Sequence, residues 1–468
     1  MVATLASALL AGACSRQSTE EELAPPEPLE ELDASESPGV PGPDMVEDEM
    51  PPGDEPTRWA PIPLPVYQLG QLAPPPEWNR LGLYQHSITR SEFQRLLEDV
   101  YTAGEGWSST IAIESDHAAI QRSTTGSGGD RFRLYFSSAP LPASSPAPPR
   151  YWRAAADLPP ASDLERLPLE GVRIALDPGH IGGEWAKVEE RWFKIGQGSP
   201  VMEGSLTLKV AELLAERLAE LGATVMPVRT TEEPVTKLRI ADLMDEARRE
   251  LRAMGVDPDA ADANPSPSLT VDWRAEKLFY RTAEIRARAD LVNNAVFPDL
   301  TVCIHFNAEA WGNPGKPDLV ARNHLHVLVN GCYSETEIRL DDQRYELLLR
   351  LLQRISETEI PLADAVAESM AEATGLPAYT YLGSNAKRVS ANPYVWGRNL
   401  LANRTFHCPV VFLEPYVMNN QEVYERIQAG DYPGEKSVAG QDRRSIFREY
   451  ADAVADGLAK YYREARHQ

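Results

Sequence analysis

Val172-Arg173-Ile174-Ala175-Leu176-Asp177-Pro178-Gly179-His180 is the stretch that decides the fold class. A short apolar run breaks off in Asp-Pro-Gly, as a buried strand does where it enters a loop. Two further runs share the form: Val302-Cys303-Ile304-His305-Phe306-Asn307-Ala308 and Val410-Val411-Phe412-Leu413-Glu414. Each delivers one His or Glu at its C-terminal end. In an open α/β sheet that edge is where sites are built. Two imidazoles converging there with carboxylates make a donor set suited to zinc with one coordination position left open.

Around these strands the pattern alternates. A helix is expected over 205–221, with Ser205 as N-cap, Gly222 as stop, and Leu206, Val210, Leu213, Leu214, Leu218 and Leu221 as its apolar stripe. Strand 224–229, a charged helix over 236–255 and a helix over 274–294 follow. Strands at 299–305 and 323–329, helices near 342–356 and 361–374, and a final helix over 441–464 complete the region. Alternation of strand and helix predicts an α/β main domain over 165–468, a mostly parallel sheet with helices on both faces.

The N-terminal third reads differently. Residues 17–57 hold fourteen Asp and Glu, nine Pro and no Lys or Arg. Such a segment cannot bury enough apolar surface to fold, so residues 15–78 are expected as a disordered acidic tether, self-repelling and stiffened by Pro. A small α+β domain is expected at 79–138. Thr89 caps a helix there with Glu92 three residues on, and Phe93, Leu96, Leu97 and Val100 form its apolar face. Strands are expected at 109–113 and 132–136, and a Pro/Ala/Ser linker over 139–164.

A formal net charge of -24 argues against a nucleic-acid partner. Four cysteines, Cys14, Cys303, Cys332 and Cys408, form no CxxC pair and no disulfide framework. Cys303 and Cys408 are expected as small buried hydrophobes on strands. Residues 1–13, MVATLASALLAGA, are small and apolar and end at Cys14-Ser15. That resembles the end of a bacterial lipoprotein signal peptide, which implies a lipidated Cys14 and a membrane anchor. Leu10 stands four residues before the cysteine where the usual pattern has three, and no Lys or Arg precedes the apolar stretch. An ordinary cleaved signal peptide is the alternative, giving a secreted protein rather than a periplasmic outer-membrane lipoprotein of the cell envelope.

Taken together, four motifs in order resemble the zinc-dependent N-acetylmuramoyl-L-alanine amidases of the type-3 family. They are Asp177 to His180, Glu203 before Ser205-Leu206-Thr207-Leu208, Cys303 to Ala308, and Leu413-Glu414-Pro415-Tyr416-Val417-Met418-Asn419-Asn420. Arg229-Thr230, Arg288 and Asn293 fit the same pattern. The resemblance implies His180, Glu203 and His305 as zinc ligands, Glu414 as the catalytic carboxylate, and peptidoglycan as substrate. The chemistry is coherent: one acid ligates, and a second, free acid takes a proton from water and hands it to the leaving amine. Asn307 is a candidate for orienting substrate.

Several alternatives stay open. Glu184, Glu189 and Glu190 rival Glu203 as ligand, in a charge-rich 186–194 segment expected as a solvated flap. His324 and His326 share one strand face; both are expected to be structural, with one of them facing substrate or supporting the ligands. His407 is expected at a strand start. The 231–273 insertion is either an extra packed helix or a lid beside the cleft. A zinc peptidase cutting within the stem peptide, or a catalytically silent wall-binding protein, are the competing functions.

Overall fold

The computed structural model describes residues 68–125, 130–140, 148–259 and 267–467. Cys14 and most of the acidic stretch lie outside these residues. Among the described residues no helix is long and apolar enough to cross a membrane.

The chain first builds a small unit. Helix α1 (Arg90–Leu96) is capped by Thr89, whose Oγ1 accepts the Glu92 amide at 3.2 Å. Three antiparallel strands follow, β1 (Ile111–Ile113), β2 (His117–Gln121) and β3 (Arg131–Tyr135). The middle strand was not expected. Its His-Ala-Ala-Ile-Gln sequence carries little β preference, and pairing on both edges supplies what propensity lacks.

The main unit opens with β4 (Arg173–Pro178), a hairpin of β5 (Trp192–Phe193) and β6 (Val201–Met202), then α2 (Glu203–Glu220) and β7 (Thr224–Pro227). Helices α3 (Met244–Ala253), α4 (Val271–Lys277) and α5 (Glu284–Leu291) lead to β8 (Leu300–Ile304) and β9 (Leu325–Val329). Next come α6 (Glu335–Arg339), α7 (Asp341–Leu352), α8 (Ser356–Thr374), β10 (Ala386–Arg388), β11 (Val395–Arg398) and α9 (Leu401–Thr405). The chain ends with β12 (Val410–Pro415), α10 (Gln421–Gln428), a hairpin of β13 (Glu435–Val438) and β14 (Gln441–Arg444), and α11 (Ile446–Arg466).

Seven strands form one sheet in the order β10-β11-β9-β12-β8-β4-β7. Strands β7, β4, β8 and β12 are mutually parallel, as alternation with helices predicts. β9 runs antiparallel to β12. The connection from β8 to β9, residues 305–324, contains no helix, whereas a parallel return usually runs through a helical crossover. Helices α2, α8 and α11 cover one face, packing Leu214, Leu362 and Val454 over Ile174, Val302 and Leu413. On the other face Ala175, Cys303, Leu328 and Phe412 pack against Ala289, Val292 and Trp152. Cys303 and Cys408 are buried free thiols, as is Cys332.

Several boundaries differ from expectation; the 361–374 helix, for one, begins at Ser356 and takes Pro361 into its first turns. The 236–255 helix begins only at Met244, after a 3-10 turn over Ile240–Leu243. The 274–294 helix starts earlier, at Val271, and contains wider π-type turns over Leu278–Ala283 and Val292–Val296. The 441–464 helix starts at Ile446 because Gln441–Arg444 is taken by the β13–β14 hairpin.

The small unit does not have a core to itself. Phe93, Leu97 and Ile120 share one apolar cluster with Tyr333, Leu347, Leu348 and Leu351 of the main unit. Before it, the Gln68 and Gly70 amides donate to Asp341 Oδ2 and Asp342 Oδ1, both at 2.8 Å. After it, Trp152 is buried and the Arg153 guanidinium meets Asp299 at 2.7 Å. A chain beginning at residue 165 is therefore expected to lose stability and aggregate, because one side of α7 becomes exposed. Within the whole chain Leu348→Ala should cost about 2–5 kcal/mol. Urea unfolding of the three proteins checks this; an unchanged midpoint in the truncated chain would show the shared core to be dispensable.

Candidate metal centre

The strand ends converge as their sequence suggests. The loop after β4 turns at His180, whose φ is +57°. This left-handed conformation is uncommon for a non-glycine residue. Two groups hold it. Arg288, buried on α5, donates to the His180 carbonyl at 2.7 Å, to the Pro178 carbonyl at 2.8 Å and to Asp177 Oδ1 at 2.9 Å. The Glu189 carboxylate accepts the Ile181 amide at 2.9 Å and the Gly182 amide at 3.1 Å.

Glu203 is the first residue of α2, where the helix N-terminus favours a carboxylate. Its Oε1 accepts the Phe306 amide at 3.1 Å and lies 3.2 Å from His305 Nδ1. Its Oε2 lies 3.3 Å from His180 Nε2 and 3.2 Å from Arg191 Nε. Burial works to raise the Glu203 carboxyl, but the two imidazoles and the Arg191 guanidinium overcome it and hold it below the usual carboxylate range. Burial likewise opposes ionisation of Glu189, and His180 with the two backbone amides outweighs it.

Close approach of the backbone makes this possible. A Cβ on Gly179 would come within 2.2 Å of the His305 ring. One on Gly204 would come within 2.2 Å of the Gly182 amide nitrogen. The Gly204 that follows Glu203 thus allows α2 to pack closely against the His180 loop. On its other side the His305 ring stacks on Phe412, with centroids 4.4 Å apart.

Donor atoms of His180, Glu203 and His305 all lie within 4.8 Å of one another. Among the described residues His180 Nε2 is buried without a hydrogen bond, an arrangement that typically costs about 1–3 kcal/mol. A cation that accepts its lone pair removes that cost. Two imidazoles and a carboxylate, buried and convergent, fit a divalent metal with a free coordination position.

The rival acids serve elsewhere. Glu189 supports the His180 loop from the side of Nδ1, at 3.5 Å. Glu190 meets Lys277 Nζ at 2.5 Å. Glu184 lies in a 3-10 turn over Gly183–Lys187 and is absent from the convergent group. The 186–194 segment is not a solvated flap: Ala186, Glu189 and Phe193 are buried, and Phe193 packs on Trp311. Its high charge suggests solvent exposure; Glu189 and Arg191 instead turn inward to His180 and Glu203, while Lys187 and Glu190 stay exposed.

Glu414 ends β12 beside His305, one step beyond the paired Ile304 and Leu413. Across the sheet its register partner is His326 of the antiparallel β9. His326 Nε2 lies 3.1 Å from the Tyr381 hydroxyl. Asn307 lines the same cleft as Glu414, and its Oδ1 accepts the Ala308 amide at 2.7 Å. His407 lies in a bend three residues before β12 rather than at its start, and its amide donates to Asn293 Oδ1 at 2.8 Å. The 231–273 insertion packs Leu243 and Ala247 with Ala275 and Leu278 around Ile181 of the His180 loop. Sequence reasoning missed Arg191 and Tyr381. No local pattern marks either one: Arg191 meets Glu203 across the β5–β6 hairpin, and Tyr381 meets His326 from 55 residues away.

Comparison with known proteins agrees with the motifs. The family described as N-acetylmuramoyl-L-alanine amidase, Amidase_3, matches residues 174–446. The probable cell wall amidase LytH of Staphylococcus aureus is 30% identical over 122 residues, which is 26% of this chain and 38% of LytH. The chain thus spans well under half the length of that curated relative. Among solved structures, the apo amidase Ami1 of Mycobacterium abscessus aligns at 17% identity with a TM-score of 0.33, covering 62% of this chain and 99% of Ami1. The amidase AmiC2 of Nostoc punctiforme aligns at 15% identity and a TM-score of 0.31, covering 62% of this chain and 98% of its own.

The packing of Gly179 against His305 yields a test. Gly179→Ala is expected to push the His305 ring out of the convergent group and lower zinc affinity at least tenfold, with the far-UV circular dichroism unchanged. Metal titration of the two proteins with a competing chelator measures it; equal affinities would separate His305 from the centre.

Proposed function

The chain belongs to the N-acetylmuramoyl-L-alanine amidase family Amidase_3, and on that premise we propose that it hydrolyses the amide joining the lactyl group of N-acetylmuramic acid to L-alanine of the peptidoglycan stem peptide. The observation that carries this reading is the convergence of His180, Glu203 and His305 within 4.8 Å, with Glu414 at the end of the neighbouring strand.

In this reading His180, Glu203 and His305 hold zinc, which would supply Lewis-acid polarisation of the scissile carbonyl and a more acidic water. Glu414 would accept the proton of the attacking water as the water oxygen bonds to the carbonyl carbon. The same carboxyl then gives the proton to the alanine nitrogen as the C–N bond breaks. Asn307, lining the cleft beside Glu414, contacts the substrate. Arg288 and Glu189 keep His180 in its strained conformation, so the ligand set is organised before substrate arrives. The domain division assigned from sequence belongs to the same reading, with 165–468 as catalytic domain, 79–138 as a small accompanying unit and 15–78 as tether, except that residues from Gln68 on are packed against the main unit rather than free.

Mass spectrometry of purified muropeptides after incubation distinguishes the amidase from a stem peptidase. The expected products are a lactyl acid and a peptide with free L-alanine at its N-terminus, and a chelator should abolish both. Glu414→Gln keeps shape and removes the proton acceptor. It is expected to retain zinc and lose about 10² to 10⁴ in turnover. Turnover within threefold of the parent would eliminate Glu414 as the general base.

The setting is proposed to be the cell envelope, with Cys14 as the lipidated residue and the tether giving the catalytic domain reach to the wall. Over about 45 residues an extended tether spans on the order of 140 Å, at about 3.1 Å per residue. Several acyl chains are needed for stable anchoring, since one is marginal. Fractionation of cells is expected to find the parent with the membranes and Cys14→Ala in the soluble fraction. A parent found wholly in the soluble fraction would exclude the anchor and leave secretion as the alternative.

A further inference from the structure

The cleft at the metal-ligand set has two lobes. One, of about 860 Å³, is walled by Ile285, Leu400, Leu401, Ala402 and Phe412, with His180 and His305 at its edge. The other, of about 1510 Å³, is lined by Glu414, Arg322, His324, His326, Tyr379 and Tyr381. Arg191 borders both, and its Nε stands 3.2 Å from Glu203 Oε2. The lobes therefore meet at the ligands.

We propose that the larger lobe receives the leaving peptide, that the smaller apolar lobe receives the acyl side, and that His324 is the specificity-determining residue that hydrogen-bonds the peptide backbone. This assignment rests on the amidase reading above.

Proton delivery sets the direction. The amine leaves only when the carboxyl that took the proton from water returns it to nitrogen. Glu414 lines the larger lobe and not the smaller one. The nitrogen, and the peptide attached to it, must then lie on that side. The acyl carbon stays with the sugar on the other side, against Leu400, Leu401 and Phe412.

His324 supplies the second argument. It shares the sheet face of His326 and Glu414, two residues before His326 on an extended chain. It is buried, at 5% exposure. Its ring packs on Tyr379, with centroids 4.6 Å apart. Its Nδ1 has no hydrogen-bond partner among the described residues. Its Nε2 stands 4.0 Å from Glu309 Oε1, outside hydrogen-bonding distance. His326, by contrast, has the Tyr381 hydroxyl. His326 Nδ1 is likewise without a hydrogen bond, but its Nε2 is engaged, so of the two histidines His324 is the one with neither ring nitrogen hydrogen-bonded among the described residues. Burial, then the nearby Arg322 guanidinium, pull its pKa down to about 4, so the ring is neutral under physiological conditions. A neutral imidazole offers one donor and one acceptor, which matches the N–H and C=O of an extended peptide.

Charge agrees with this polarity. Arg322, with 63% of its side chain exposed, faces the lobe and meets Glu309 at 3.2 Å. Arg398 lines the same lobe, as do the carboxylates Glu309 and Glu414. Guanidinium groups line both lobes, Arg322 and Arg398 the larger and Arg281 and Arg288 the smaller; Arg288 is buried and committed to Asp177 and Glu284, whereas the exposed Arg322 can meet a peptide carboxylate. The mouth of the lobe carries Leu382, 98% exposed.

The probe is the free tripeptide L-Ala-γ-D-Glu-meso-diaminopimelate, titrated calorimetrically into the full chain with and without zinc. His324→Leu is expected to weaken tripeptide binding about tenfold, and to raise KM for muramoyl-tripeptide with kcat nearly unchanged. Its Tm should hold or rise, because an unsatisfied buried nitrogen is removed; a purely structural histidine would not couple the two effects. His324→Gln, which keeps a donor and an acceptor, should recover part of the binding. Arg322→Gln, at an exposed position, should also weaken binding. Leu401→Ala, on the other lobe, is expected to raise KM for muramoyl-tripeptide without moving the tripeptide Kd. An unchanged Kd in His324→Leu, no saturable binding by the parent chain, or an equal loss in Leu401→Ala overturns the assignment. The amidase reading is judged separately, by whether the parent chain releases tripeptide from muramoyl-tripeptide. Release with a Kd indifferent to His324 removes the subsite and leaves the amidase. Failure of release removes the amidase, while the Kd series still decides the lobe.

Discussion

A single buried carboxylate organises this molecule. Glu203 begins α2 and reaches four places at once: the His305 ring, the Phe306 amide, the His180 ring and the Arg191 guanidinium. Two of these belong to the ends of β4 and β8, one to the loop after β8, and one to the hairpin that precedes the helix. A carboxylate stripped of water is costly unless it is paired and hydrogen-bonded. The fold therefore brings cationic or ligating partners to it from every side. The same demand explains the glycines at 179 and 204, since side chains there would occupy the space the His305 ring and the His180 loop require.

Around that carboxylate the supporting groups form a second tier of buried charge. Arg288 gathers Asp177, Glu284 and two carbonyls of the His180 loop, and Glu189 closes the loop from the other side. The insertion between β7 and β8 carries much of this tier, and its apolar cluster includes Ile181 itself. It is thus a buttress for the His180 conformation, and the helical turns that follow residue 273 wall the smaller lobe with Tyr280 and Arg281. Strain at His180 is held by contacts that do not themselves reach the cleft centre, a distribution common at sites that must be ordered before their ligand binds.

The reversed strand β9 gives the cleft its asymmetry. Because β9 runs against β12, His326 lands opposite Glu414, and His324 lies farther along the same face. A parallel strand would have brought its C-terminal end to this edge instead. The helix-free connection over 305–324 is therefore responsible for placing a polar, aromatic lobe beside the acid, while α5 and α9 place an apolar one beside the imidazoles.

How much of this was legible in the chain depends on the range of the interaction concerned. Apolar runs ending in Asp-Pro-Gly-His, His-Phe-Asn and Leu-Glu-Pro determine, by themselves, three buried strands that deliver chemistry at one edge. Periodicity determines the helices between them, and the Thr89 cap is readable because its partner is three residues away. The choice of Glu203 over Glu184, Glu189 and Glu190 was not readable with the same force, nor were the roles of Arg191 and Tyr381. The separate standing of the small unit was misread, since its apolar face looks complete until α7 is set against it. The deciding partner lies from twelve residues away, for Arg191 and Glu203, to more than two hundred, for the small unit and α7, and only chain closure brings it within hydrogen-bonding or packing distance. Local pattern encodes which residues can carry the chemistry; burial and long-range pairing, which exist only in the folded chain, decide which of them do.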